Sequence, residues 1–154
     1  MIVIVLVSLG GYARFAIRLG IARFDVLLGL IAYAASALAN VLAATINGFV
    51  APAAFERSVS SDVLRLAWEF NQALAYGAAY GTSAALLLWS FALLRCAGFE
   101  RFLGVSALVV GAVTIGLLAG DLVQMNVAGA FIVYALQAAM GVLVGASLMR
   151  ARDS

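Results

Sequence analysis

The stretch Phe24–Val50, FDVLLGLIAYAASALANVLAATINGFV, decides the fold class. It stays apolar for longer than the roughly 17–25 residues a helix needs to cross a bilayer. Working outward, four further apolar runs appear, separated by short clusters of arginine and acid. Met1–Ile17 precedes it and is at the short end of that range. Ser61 or Asp62 to about Arg95, about Phe102 to Ala119, and Val123 or Val127 to Met149 follow it. Hydrophobic residues make up 66% of the 154 and charged residues 10%, against roughly 45–50% and about 25% in a soluble domain. A water-soluble core of this length cannot hide so much apolar surface, so lipid must cover it. No segment alternates with the period of two that a barrel requires, which leaves closed helices as the spanning solution. The expectation is an all-α integral membrane bundle forming one domain, 1–154. It has five transmembrane helices, the first one short, or four if that run lies in the interface.

The ends of the runs are read from local signals. A secretory leader carries its positive charge before its apolar run; here Arg14 and Arg18 come after MIVIVLVSL (1–9), so a cleaved leader is not expected. Pro52 predicts a stop or turn after the second helix. The link from Ala51 to Ser61 holds Glu56, Arg57, Ser58 and Ser60. Ser61 or Asp62 is the expected cap of the third helix, and Asp62 also suits its positive end. Running to Arg95, that helix is roughly 50 Å long, more than a ~30 Å hydrocarbon layer, so its first turns stand in the headgroup zone with Trp68 as an interfacial aromatic. CAGFER (96–101) reads as a tight turn, and Gly120–Asp121 as the end of the fourth helix.

Every basic residue is arginine, nine in all, and histidine is absent. Arg14, Arg18, Arg23, Arg95, Arg101, Arg150 and Arg152 fall on one side of such a bundle, and Arg57 and Arg65 on the other. The positive-inside rule puts the larger set, with the C-terminus, in the cytoplasm. Without histidine the common zinc and haem ligand sets and the usual proton shuttle are missing. No metal cluster, phosphate loop or Cys-x-x-Cys pair is present, and no cofactor is expected. A net charge of +2 gives no basic field for nucleic acid. Cys96 has no partner cysteine for an internal disulfide. Ser83, Ser90 and Cys96 have no evident activating base, so catalysis is not expected.

Close approach between membrane helices depends on small residues. Ala73, Gly77, Gly81 and Ala85 form a four-residue ladder on the third helix, Gly116 and Gly120 a pair on the fourth, and Gly141 and Gly145 a pair on the fifth. Packing within the bundle is the plainer account of all three, and a homo-oligomer interface at Gly141/Gly145 the sharper one. The intramembrane polar groups need partners, because an unpaired amide in hydrocarbon costs several kcal/mol. Asn40 and Asn47 share a face of the second helix with Ser36. Glu69, Gln72, Tyr76 and Tyr80 form a stripe on the third, continued by Ser83, and Gln137 lies midway along the fifth. All are expected to turn into the bundle. The candidate polar pocket is Asn40, Asn47, Glu69, Gln72, Tyr76 and Gln137, with an Arg65–Glu69 ion pair as the simpler explanation of Glu69.

TINGFVAP (45–52), EFNQALA (69–75), LLLWSFALLR (86–95) and LQAAMGVLVG (136–145) resemble uncharacterised bacterial inner-membrane proteins with several spans. The resemblance implies a bacterial origin and carries no activity. The expected function is that of a small, non-enzymatic structural or interaction subunit of the inner membrane, in contact with lipid and with further copies or other membrane subunits. The alternative is a channel or transporter component that holds a polar solute or ion in the candidate pocket. A lipid or quinone site walled by Trp89 and Tyr134 is the third possibility.

Overall fold

The computed structural model describes residues 2–57 and 59–150. Met1, Ser58 and the tail from 151 onward, including Arg152, lie outside the described residues. Among the described residues the chain forms five helices and no strand: α1 (Ile2–Gly20), α2 (Phe24–Glu56), α3 (Ser61–Leu93), α4 (Phe99–Ala119) and α5 (Val127–Arg150). Short links make each helix run opposite to the one before it, so the bundle is all-α and up-and-down. By length and composition α1, α2, α4 and α5 can each cross a membrane, with α5 counted from Ala128. The fifth, α3, has 33 residues but is less apolar. It is also the central helix, packing on all four others. Its polar residues from Asn71 to Ser90 are buried or half-buried against the other helices, while Ser61, Asp62, Arg65 and Glu69 near its start are exposed.

Two cores hold the bundle. The larger joins all five helices around Trp89, with Tyr12, Phe15, Val26, Leu86, Leu93, Leu103 and Met140 buried against it. Trp89 stacks on Tyr12 at 5.4 Å, meets Phe15 edge-on at 5.8 Å, and donates its Nε1–H to the Val26 carbonyl at 3.1 Å. Buried indole needs such a partner for its one polar group. The smaller core lies toward the opposite end, where Ala79, Leu118, Met125 and Val133 join α3, α4 and α5. Outside the cores the surface is strongly apolar, with Ile4, Val7, Phe24, Phe131 and Val142 all widely exposed. That is the pattern of a protein solvated by lipid rather than water.

Several expected element ends are corrected. Pro52 does not stop the second helix. The five residues Ile46–Val50 widen into a π-helical turn, and the Ala51 N–H donates to the Ile46 carbonyl five residues back. This opens the ladder just where the proline ring would strike the carbonyl of an ordinary turn, so the helix continues through Pro52 to Glu56. Neither Ser61 nor Asp62 caps α3; Ser60 holds the cap position, without a side-chain hydrogen bond. The helix after the CAGFER turn begins three residues earlier than expected, at Phe99 rather than about Phe102, following Gly98 at φ +61°, a left-handed value that favours glycine. Asn126 caps α5, its Oδ1 accepting the Gly129 N–H at 3.0 Å.

The glycine ladders are only partly used. At Gly81 a β-carbon would lie 3.0 Å from the Ala32 carbonyl and from Ser36 Cβ, so α2 and α3 touch there. Gly77, Gly116 and Gly145 face open space, and Gly141 meets only the Tyr12 hydroxyl, 3.6 Å from where its β-carbon would be.

Candidate functional site

The cavity is built where α1 and α5 fail to close on each other. Both helices run in the same direction, and two contacts fix their register. Arg18 on α1 donates to the Ser147 carbonyl and hydroxyl at 2.8 and 2.6 Å, and Tyr12 faces Gly141. The small side chains facing each other across this seam, Ser8 and Gly11 on α1 and Ala138, Gly141 and Gly145 on α5, leave a cavity of about 460 Å³. Tyr33, Ser36 and Asn40 of α2 and Thr82 of α3 form its floor, and Tyr134 and Gln137 complete its polar wall. The volume falls within the roughly 300–1,000 Å³ of small-molecule sites.

Most of these polar groups are held by neighbouring helices. The Tyr134 hydroxyl donates to Asn40 Oδ1 at 3.3 Å, joining α5 to α2. Gln137 Nε2 donates to the Ala79 carbonyl at 3.2 Å, joining α5 to α3. Ser36 Oγ lies 2.6 Å from both the Ala78 carbonyl and Thr82 Oγ1. Tyr12 differs. It is only 7% exposed, lines the cavity, and its hydroxyl makes no hydrogen bond among the described residues. No Asp, Glu, Arg or Cys lines the cavity, and among the described residues no group of three metal-ligating side chains forms.

The six candidate pocket residues therefore do not form one pocket. Asn40 and Gln137 line the main cavity. Gln72 and Tyr76 line a separate hollow of about 330 Å³ with Trp68 and the loop residues Asp121, Gln124, Met125 and Asn126. There the Tyr76 hydroxyl accepts the Met125 N–H at 3.2 Å. Asn47 turns outward in the π-helical segment and is exposed, because the widened turn lies where α2 projects past most of the bundle. Glu69 also faces out: its side chain is 66% exposed and its Oε1 lies 4.0 Å from Arg65 Nε, the ion pair foreseen as its simpler explanation. Ser83 is buried as expected.

The sequence pattern missed three features. Asn71 rather than Glu69 is the buried polar residue at this level of α3, 7% exposed with an unpaired Oδ1. Its signal was the run Asn71, Ala75, Ala78, Thr82, which continues at helical spacing to Leu86 and Trp89. Trp89 belongs to the core, behind Tyr12, and lines neither of the two cavities described. Tyr12 and Tyr33, which do line the cavity, carried no marker beyond their position in apolar helices. Comparison with family models, curated proteins and solved structures found no match to this chain.

Proposed function

We propose that the chain is a bacterial inner-membrane protein that crosses the bilayer five times, with its C-terminus in the cytoplasm, and works by non-covalent binding as a small interaction subunit. The observation that carries this reading is the central place of α3, the least apolar long helix, which packs on four helices whose outer faces are apolar. Such an arrangement suits a lipid-solvated scaffold whose polar contacts are spent on holding helices together. The orientation is supported by the gathering of Arg18, Arg23, Arg95, Arg101 and Arg150 at one end, where α1, α3 and α5 finish and α2 and α4 begin. The paired state of Asn40 and Gln137 and the absence of charge in the cavity favour binding over ion conduction.

Cys96, the single cysteine, is exposed at the arginine-rich end and serves as a natural probe. In intact cells a membrane-impermeant thiol reagent should leave Cys96 unlabelled until the membrane is opened. Ser60→Cys in a Cys96→Ser background should react from outside. Labelling of Cys96 in intact cells would reverse the orientation.

A further inference from the structure

The α1–α5 cavity has three properties that together specify an occupant. It is long: its lining on α5 extends from Tyr134 to Leu148, about 21 Å along a helix. It is small: its volume of about 460 Å³ lies within the roughly 300–1,000 Å³ of small-molecule sites. It is also polar at one end only. The Tyr134–Asn40 pair and Gln137 mark one part, while Val144, Gly145 and Leu148 line the other.

The chemistry of the polar part is equally selective. Asn40 Oδ1 is already taken by the Tyr134 hydroxyl, which leaves the Asn40 amide hydrogens free to donate. Tyr12 as a residue is more than nine-tenths buried, and its hydroxyl opens on the cavity beside Gly141 without a partner among the described residues. A hydroxyl facing an apolar-walled cavity within hydrocarbon favours a hydrogen-bond partner there. Both groups ask for an acceptor, and no charged side chain is present to neutralise an ion. We infer that this cavity binds one neutral, membrane-soluble molecule with a carbonyl-bearing head and a single hydrocarbon tail. The head accepts from Tyr12 and Asn40, and the tail lies along Gly141, Gly145 and Leu148. Two sources share that chemistry: an isoprenoid or alkyl quinone, and a single-chain neutral glyceride.

The inference rests on the chain being a membrane protein that acts by binding. The test uses the full chain in detergent micelles, with Trp68→Phe so that Trp89, stacked on Tyr12, is the only indole. A decyl-chain quinone should quench Trp89 saturably, and monoolein should either displace it or fail to, which separates the two sources. Oleate, with the same chain and a charged head, should compete about tenfold less well than monoolein. Gly141→Leu, which fills the seam, should weaken saturable binding of the quinone or of radiolabelled monoolein at least tenfold. Tyr12→Phe, which removes only the hydroxyl, should weaken it severalfold with the fold intact. Gly116→Leu, in open space on α4 away from the cavity, should leave it unchanged. Non-saturable quenching and no saturable monoolein binding, the same in the parent and in Gly141→Leu, would overturn the inference, as would a Gly141→Leu chain that changes its oligomeric state rather than its binding. Either result leaves the membrane assignment standing, whereas a chain that stays folded and monodisperse without detergent removes that assignment and the cavity's occupant together.

Discussion

Single atoms decide where this bundle tolerates change. At Gly29 a β-carbon would lie 2.6 Å from Trp89 Nε1 and 2.9 Å from its Cδ1. The indole is locked by its stack on Tyr12 and its bond to the Val26 carbonyl, so it cannot yield without losing both. Gly29→Ala should destabilise by about 1–3 kcal/mol, the usual cost of overpacking. Gly116→Ala, with nothing within 4 Å, should be neutral or gain up to about 1 kcal/mol from helix propensity. Denaturation in mixed micelles, followed by helicity and Trp89 fluorescence, measures both; equal effects at the two sites would contradict the packing described. The buried hydroxyls make a second contrast. Thr114 Oγ1 is buried and unpaired among the described residues, so Thr114→Val should raise stability, by about 0.5–2 kcal/mol. Ser36 holds both the Ala78 carbonyl and Thr82, so Ser36→Ala should lower it by about 1 kcal/mol. A loss of stability in Thr114→Val would mean that its hydroxyl has a partner.

At the scale of elements, the helix ends are tied by charge where the cores stop. Arg18 from α1, Glu100 from α4 and Ser147 from α5 form one network, with Arg18–Glu100 at 2.6 Å and the Ser147 hydroxyl donating to Glu100 at 2.8 Å. Arg18 remains about one-third exposed, so solvent screens the pair. A double-mutant cycle with Arg18→Gln and Glu100→Gln should give a coupling of no more than about 1 kcal/mol, shrinking as salt is added. A larger, salt-independent coupling would show the network to be sealed from water. The same elements explain what could be read from sequence. Helix number and several ends were legible, because hydrocarbon admits only helices and closed barrels, no segment has a barrel's alternation, and the Gly120–Asp121 break is sharp. The π-turn was not, since Pro52 reads as a stop unless the widened turn before it is known. The pocket was legible by half. Spacing on one helix places Asn40 and Ser36 together, but only the packing of α5 on α2 and α3 brings Gln137 and Tyr134 to them. On α3 the expected stripe was turned by about one residue from the true buried face, so Asn71 went inward and Glu69 outward. An interfacial helix end is wet all round, and there polarity no longer marks the inner face.

For the molecule as a whole, the central place of α3 has a consequence for how the bundle enters the membrane. Four helices satisfy the length and apolarity of a span by themselves, and α3 does not. Asn71, Gln72, Tyr76, Tyr80, Thr82 and Ser83 lie between its interfacial start and Leu86, and each polar group in lipid needs a partner from another helix. The partners that α3 does find come from both directions along the chain: Ser36 on α2 for Thr82, and, after α3, the Met125 N–H for Tyr76 and Gln137 for the Ala79 carbonyl, while Asn71 Oδ1 and Ser83 Oγ have none among the described residues. Placed alone as a test segment in an insertion assay, residues 61–93 should therefore insert poorly, while residues 99–119 insert fully. Adding α2 ahead of the segment should recover part of the insertion, and adding α4 and α5 should recover the rest. The partial gain should be lost with Ser36→Leu together with Gly81→Leu, because a side chain at Gly81 would strike the Ala32 carbonyl and Ser36 of α2. Full insertion of the isolated segment would show that its apolar stretch from Ala84 to Leu94 suffices. In that case the central position of α3 would be a result of packing after insertion rather than a condition for it.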